Sequence, residues 1–311
     1  MTYKLLITGG SGLLGSNLVK LMEDNFEAHT IVHEHQMKFK TCQTYKLDIT
    51  KGYNLLKAVK KINPQCIIHT AALTNVDYCE THRDESWKIN VEGTRNVATS
   101  ADKVDSKIIY ISTDSVFDGK KSMYTEDDQP NPVNFYAMTK LEGEKIVLRS
   151  TAHHVIIRTN IYGWNAQKKL SIAEWMLNSL LEKKQLTLFS DVFFTPMLVN
   201  NLCDVIIEIL EKDICGLYHV AGSERCSKLQ FGLALAEVFD LDKNLIEPIL
   251  VSDKNLAAER PKDPSLSIER IRREVRTRLL NVRDGLESFK NLYDVGYVKE
   301  LRGCLQLGTF D

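Results

Sequence analysis

The sequence predicts an α/β fold in which a doubly wound parallel sheet is followed by a smaller mixed α/β lobe. Three observations predict it. From the start to about residue 160, short apolar runs alternate with longer amphipathic stretches, the pattern of β-α units. A glycine-rich turn, Gly9-Gly10-Ser11-Gly12-Leu13-Leu14-Gly15, stands directly behind the first of those runs. Beyond Gly163-Trp164 the pattern changes and helical spacing dominates.

Strands are expected over residues 4–8, 28–33, 44–47, 66–70, 107–112 and 154–158. Between them, 14–22, 55–62, 87–101 and 135–148 carry the spacing of amphipathic helices, so each crossover can cover one face of the sheet. Residues 1–162 are accordingly assigned to a dinucleotide-binding domain. In the second half, helices are expected over 172–183, 201–212, 228–239 and 282–293, with short strands at 186–189 and 216–220. These make 163–311 a smaller lobe capping the first, with a boundary that the chain is free to interleave. The proline-marked run 259–264 and the polar run 268–278 read as loop and solvated helix.

Composition excludes several classes. Of 311 residues, 43% are hydrophobic and 26% charged, and 40 basic residues meet 41 acidic ones. Such a balance gives no electrostatic footprint for nucleic acid or an anionic membrane, so an anionic ligand must be held by local groups. The amino terminus has too short an apolar run for a signal peptide, and no stretch approaches the roughly 18 apolar residues that span a bilayer. Seven cysteines, an odd number without C-x-x-C spacing, argue against zinc sites and a disulfide scaffold. The reading is a reduced, cytoplasmic protein without a metal.

Gly9, Gly12 and Gly15 fall between a strand and a helix. There they permit a tight turn, close approach of backbone amides to a pyrophosphate, and close helix–strand packing. An ordinary glycine-rich turn is the alternative. In NAD-preferring folds of this kind a carboxylate ends the second strand and binds the ribose 2′-hydroxyl. Here that strand ends in His33-Glu34-His35; with His33 at the position, NADP(H) is favoured over NAD(H), unless Glu34 reaches inward. Asp48, with Ile49 behind it, either accepts a hydrogen bond from an adenine amino group or caps a helix. Ala71 and Ala72 end the fourth strand with side chains small enough for a cofactor to lie against the sheet edge, or simply pack well there.

Tyr136 and Lys140 stand four apart on an expected helix and share one face. A tyrosine ordinarily titrates at about 10; a neighbouring ammonium favours the phenolate and lowers that value toward neutrality, as acid–base catalysis needs. The lysine stem is also long enough to reach a cofactor ribose. Y-x-x-x-K alone equally fits an amphipathic surface helix. Thr113, just past the fifth strand, sits where a doubly wound sheet presents catalytic groups, and its hydroxyl can orient a carbonyl. Asn90 either supports this site through a backbone or water contact or serves a structural role.

Together with Ala71-Ala72-Leu73-Thr74-Asn75-Val76-Asp77, Ile111-Ser112-Thr113-Asp114-Ser115-Val116-Phe117-Asp118-Gly119 and Tyr124-Thr125-Glu126-Asp127 leading to Tyr136, these motifs resemble the extended short-chain dehydrogenase/reductases. The resemblance covers nearly the whole chain. It is to the branch holding dTDP-4-dehydrorhamnose reductases and the methionine adenosyltransferase β subunit. It implies a Rossmann domain with a substrate-binding lobe, and NAD(P)H-dependent reduction of the 4-keto group of a nucleotide-linked deoxy-sugar. Thr113, Tyr136 and Lys140 would form the catalytic set. Ser11, Leu13 and Leu14 with the three glycines, His33, Asp48, Ile49, Ala71, Ala72, Tyr136 and Lys140 would hold the cofactor. Thr74, Val76, Thr113, Asp114, Ser115, Asn160 and Arg260 would face the substrate. A homodimer is a further implication.

The departures narrow the chemistry. Related dehydratases carry Thr-Asp-Glu where this chain has Thr113-Asp114-Ser115, a departure that argues against water elimination. Ile161 stands where the rhamnose reductases usually have tryptophan, and Ala137 replaces a glycine, which a helix tolerates. The alternatives are a non-catalytic NADP-binding regulatory subunit, or a sugar-nucleotide 4-epimerase with tightly held NAD.

Overall fold

The computed structural model describes residues 3–150 and 153–305. Met1 and Thr2, read as leading into the first strand, and residues 306–311 of the second lobe lie outside the described residues. The first half runs β1 (Lys4–Thr8), α1 (Leu13–Met22), β2 (Glu27–Val32), β3 (Gln43–Lys46), α2 (Gly52–Ile62), β4 (Cys66–His69), α3 (Val76–Thr81), α4 (Arg83–Trp87), α5 (Gly93–Asp102), β5 (Lys107–Thr113), α6 (Phe135–Ser150) and β6 (His154–Thr159). The second half runs β7 (Ile161–Tyr162), α7 (Ile172–Leu181), β8 (Leu186–Phe189), β9 (Phe193–Phe194), β10 (Met197–Leu198), α8 (Val199–Glu211), β11 (Gly216–His219), β12 (Cys226–Ser227), α9 (Lys228–Val238), β13 (Ile246–Ile249), α10 (Glu269–Glu274), α11 (Val282–Asp294) and α12 (Tyr297–Gly303).

Seven parallel strands pair in the order β11-β6-β5-β4-β1-β2-β3. Alternate residues on each strand face opposite sides, and both sides are covered by helices, so the strands are apolar throughout. Leu6, Ile67, Ile108, Tyr110 and Ile156 make one layer with Leu55, Val59 and Val97. Leu5, Ile7, Ile68, Ile109, Val155 and Ile157 make the other with Leu18, Leu202 and Ile206. The order reverses between β1 and β4, which opens the crevice in which ligands of such sheets bind.

Two expectations need correction. The strand expected at 216–220 in the smaller lobe is β11, the seventh strand of the main sheet, paired with β6 from Gly216↔Val155 to His219↔Arg158. The intervening helix α8 packs on α1. The chain therefore leaves the sheet after β6 and comes back to seal its edge. The single helix expected over 87–101 is interrupted by a π-helical turn, Lys88–Glu92, before α5 begins. In the second half, β7 pairs with β10, β8 with β13 and β9 with β12, and α9 packs between α7 and α11. No helix among the described residues is long and apolar enough to cross a membrane.

Candidate active site

The glycine turn is built as the strand–helix spacing requires. Gly9 has φ +75°, and a Cβ there would meet the Ala71 backbone at 2.8 Å, so only glycine fits against the end of β4. At Gly15 a Cβ would meet the Gly9 carbonyl oxygen at 2.2 Å. Gly10, which the motif spacing passed over, is equally tight: a Cβ would lie 1.8 Å from Thr30 Oγ1. Gly12 differs, because its nearest neighbour would be the Gly9 oxygen at 3.3 Å. As N-cap of α1 it brings no side-chain acceptor, and the first turn holds no acidic residue. The helix amides are left free for an anion, and the bare Cα of Gly12 suits a ligand rather than a packing demand. Gly12→Ala is therefore expected to cost the fold only about 1 kcal/mol while weakening dinucleotide binding at least about tenfold. Melting and fluorescence titration measure the two, and an unchanged dissociation constant would exclude this loop as the phosphate site.

His33 is exposed just past β2 and lies 3.8 Å from Glu34. Asp48 Oδ1 accepts the Thr50 N–H at 2.8 Å. Burial acts to raise the Asp48 carboxyl, but the Thr50 bonds and the charge of His33 outweigh it and hold it below its usual value. Asp48 thus shapes a local turn rather than capping α2, whose N-cap is Lys51. Ile49 is buried against Gly93.

A directional chain of hydrogen bonds joins this crevice to the helix that carries Tyr136. Thr8 Oγ1 lies 2.7 Å from His69 Nδ1, His69 Nε2 lies 3.0 Å from Thr94 Oγ1, and Thr94 donates to the Asn90 carbonyl at 2.6 Å. Because the Thr94 proton is committed to Asn90, Nε2 carries the imidazole proton and Nδ1 accepts from Thr8. Burial, helped by the charge of Lys140, pushes His69 down to about 3 and keeps the ring neutral. Asn90 Oδ1 accepts the Leu73 N–H at 2.8 Å, while Nδ2 donates to the Leu73 carbonyl and to Thr139 Oγ1, both at 3.0 Å. Thr139 in turn donates to the Tyr136 carbonyl at 2.7 Å. The bonds to the Leu73 backbone are compatible with both readings of Asn90, and its place in the π-helical turn aims its side chain at the loop after β4.

Thr113 ends β5 and Tyr136 lies in the first turn of α6. Burial raises the Tyr136 phenol above its ordinary value, the charge of Asp114 adds to the rise, and a hydrogen bond with Thr113 opposes it. Lys140 is only 4% exposed. Its ammonium sits 4.2 Å over the Tyr110 ring, and burial pulls it down to about 7 although Glu144 opposes. The expectation that Lys140 lowers Tyr136 is thus corrected: desolvation dominates, the phenol stays protonated, and the lysine is the group titrating near neutrality.

A buried lysine with a folded value of about 7 binds fewer protons than it does unfolded, so it destabilises the fold fully at low pH and progressively less as pH rises from 7 toward the unfolded value. Lys140→Met is expected to raise the melting temperature, most at pH 6 to 7, with the gain fading by about pH 10. A gain independent of pH would show that Lys140 is not the titrating group.

The residues expected on the substrate side divide. Asp114 is fully buried and pushed up by burial; it accepts from Asn160 Nδ2 at 2.7 Å, Thr113 Oγ1 at 3.1 Å and Ser115 Oγ at 3.2 Å. These four form a floor at the strand ends, and Asp114 attracts the Lys228 ammonium, which burial pulls down to about 8. Val76 begins α3, and Thr74 is exposed beside it. Arg260 arrives from the second half: Nη2 donates to Asp77 Oδ2 at 2.7 Å and Nη1 to the Ala258 carbonyl at 2.9 Å. Asn134 donates to the Glu259 carbonyl and accepts the Ala137 N–H, each at 2.9 Å, and Glu80 accepts the Phe135 N–H at 2.9 Å. The Arg260 loop is therefore tied to the very start of the Tyr136 helix. Asp77 and Asn134 were not singled out from sequence. Asp77 lay within a quoted motif, Asn134 stands two residues before Tyr136, and Asn before an expected helix start is a capping signal.

The comparisons agree with this geometry. The model of the RmlD substrate binding domain matches residues 3–294. A dTDP-4-dehydrorhamnose reductase of Aggregatibacter actinomycetemcomitans is 30% identical over 284 residues, 86% of this chain and 92% of that protein. The methionine adenosyltransferase 2 subunit beta of Bos taurus is 31% identical over 278 residues, 86% of this chain and 81% of that protein. Among solved structures, the dTDP-4-dehydrorhamnose reductase of Bacillus anthracis in complex with NADP superposes with a TM-score of 0.84 at 28% identity, covering 94% of this chain and 99% of that one. A hypothetical dTDP-4-dehydrorhamnose reductase of Sulfolobus tokodaii gives a TM-score of 0.81 at 34% identity, covering 91% and 98%. With the matching model spanning residues 3–294 of a chain folded as a doubly wound sheet, the protein belongs to the RmlD substrate binding domain family.

Proposed function

We propose that this protein is a reductase of the 4-keto group of a nucleotide-linked deoxy-sugar, that it prefers NADP(H) to NAD(H), and that Thr113, Tyr136 and Lys140 are its catalytic residues. The observation that carries the reading is a phenol held in its protonated form beside Thr113 at the carboxyl end of β5. The open Cα of Gly12 and the uncapped amides of α1 fit a dinucleotide pyrophosphate. A bound nicotinamide would supply the hydride for the keto carbon. Tyr136 Oη gives its proton to the developing alkoxide, and Thr113 orients the carbonyl. Lys140 serves the nicotinamide ribose, His33, Asp48 and Ile49 the adenosine end, and Ala71 and Ala72 the wall between. The NADP relative and the absence of a carboxylate at position 33 support the preference for the phosphorylated cofactor. On the substrate side, Thr74, Val76 and Arg260 bind directly, while Asp114, Ser115 and Asn160 set the floor.

Residues 1–162 act as the dinucleotide-binding part and 163–311 as the substrate lobe that lends β11 to the sheet, in a cytoplasmic protein whose seven cysteines are all unpaired. The test is to mix purified protein, NADPH and a dTDP-4-keto-6-deoxy sugar and follow the nicotinamide absorbance. Failure to oxidise NADPH with any of several keto-sugar nucleotides would sink the assignment. The similarity to methionine adenosyltransferase β subunits favours a second reading, a regulatory subunit that binds a synthetase. Capture of a synthetase whose regulation survives Tyr136→Phe would establish that one instead.

A further inference from the structure

The segment between β7 and α7 crosses the ligand crevice. Its base is fixed: buried Glu174 accepts the Asn165 N–H at 3.1 Å and the Ser171 N–H at 2.9 Å, and Asn17 of α1 donates to the Trp164 carbonyl at 3.0 Å. Its far side reaches two separate points of the Rossmann half. Gln167 Nε2 donates to the Ser11 carbonyl at 2.6 Å, and Lys169 Nζ donates to Thr74 Oγ1 at 2.9 Å. Ser11 follows β1 and Thr74 follows β4, the adjacent strands at which the sheet order reverses. The strap therefore spans the place where a doubly wound sheet takes its dinucleotide.

Lys169 is held there without a counter-charge. Its polar partner is a neutral hydroxyl, and among the described residues the one ionisable group that acts on it is the Cys79 thiol; desolvation at the crevice lowers its basicity. Lys169 is exposed at the crevice with no carboxylate among the described residues bonded to its ammonium, so an anion bound there can take a charge-assisted hydrogen bond from it without displacing an ion pair. The glycine turn, residues 8–15, contributes no charged side chain, so a pyrophosphate lying on its amides would meet no positive group from that element. We propose that Lys169 is the pyrophosphate-binding cation of this site, leaving Thr74 for the dinucleotide's phosphate oxygens when the cofactor binds. Release of the Thr74 hydroxyl then opens the substrate side, which makes binding ordered, cofactor first. The inference rests on the reading of the protein as a nicotinamide enzyme and adds the charged contact which that reading lacked.

Titration of NADP+ and of adenosine 2′-monophosphate, which has no pyrophosphate, tests it on wild type, Lys169→Gln and Lys169→Arg. Lys169→Gln is expected to weaken NADP+ about tenfold, as loss of one charge-assisted contact does, to leave adenosine 2′-monophosphate unchanged, and to reduce the salt dependence of NADP+ binding. Lys169→Arg restores most of the affinity. An unchanged NADP+ constant in Lys169→Gln overturns the proposal, as does equal weakening of both ligands, which marks local damage. If dTDP binding falls and NADP+ binding does not, the cation serves the diphosphate of the sugar nucleotide and the cofactor assignment is wrong. A wild-type protein that binds no dinucleotide overturns the nicotinamide reading itself, a result distinct from any that the variants give.

Discussion

Tyr136→Phe lowers turnover with NADPH and a 4-keto sugar nucleotide by about 10²–10⁴-fold, the range that a positioned general acid contributes, and leaves the dissociation constant of NADP+ within about twofold. The phenol is selectively vulnerable because of the electrostatics around it. Burial and the neighbouring Asp114 keep the proton on Tyr136, so in the proposed reaction the group is available as an acid. Removing one oxygen deletes the donor while the ring still fills its place, and the helix start remains held by Asn134 and Glu80. A variant that keeps more than about a tenth of wild-type turnover would transfer the acid role to another group, since the lower bound for such a donor is about 10².

The largest loss of stability is expected from Arg158→Met. Arg158 and Glu144 form an ion pair at 2.7 Å with side chains only 4% and 2% exposed. Arg158 Nε adds a second bond to Glu144 at 3.0 Å, and Ser112 donates to the same carboxylate at 2.5 Å. Taking away the guanidinium strands a buried carboxylate with one hydroxyl, which costs about 3–5 kcal/mol and lowers the melting temperature by on the order of 10 °C. Because the pair itself gains little over well-packed apolar groups, the double variant Glu144→Leu/Arg158→Met recovers a large share of the loss. A single variant that melts within about 2 °C of wild type would mean that water reaches Glu144.

Much of the first half was legible because periodicity reports what each face of an element touches. The runs at 4–8, 107–112 and 154–158 are apolar on both faces, and each became a strand within a residue of its expected end. Other features left no local trace. The π-helical turn keeps the same residue types as the α-helix on either side of it, and what selects it is the fit of Asn90 to Leu73. The return of β11 depends on an edge left open beside β6, which hydropathy at 216–219 cannot report. Tyr136 and Lys140 do share helix α6, but what rules their titration depends on depth: desolvation is the largest effect on each, and the leading charges that act on them are those of Asp114 and Glu144 rather than of each other. The Arg260–Asp77 pair joins residues 183 positions apart, a contact that only the assembled fold supplies.

The late return of β11 bears on how this protein is made. A ribosome synthesises everything needed for β1 to β6 well before Gly216 emerges, and until then the growing sheet has an unpaired margin along β6 and an uncovered apolar flank on α1. Bare strand margins recruit other chains, so the nascent polypeptide is most prone to aggregate in the interval before that strand arrives. Chaperone dependence concentrated in that window, and insolubility of fragments ending before residue 219, follow from a sheet whose last stave is supplied by a distant part of the message.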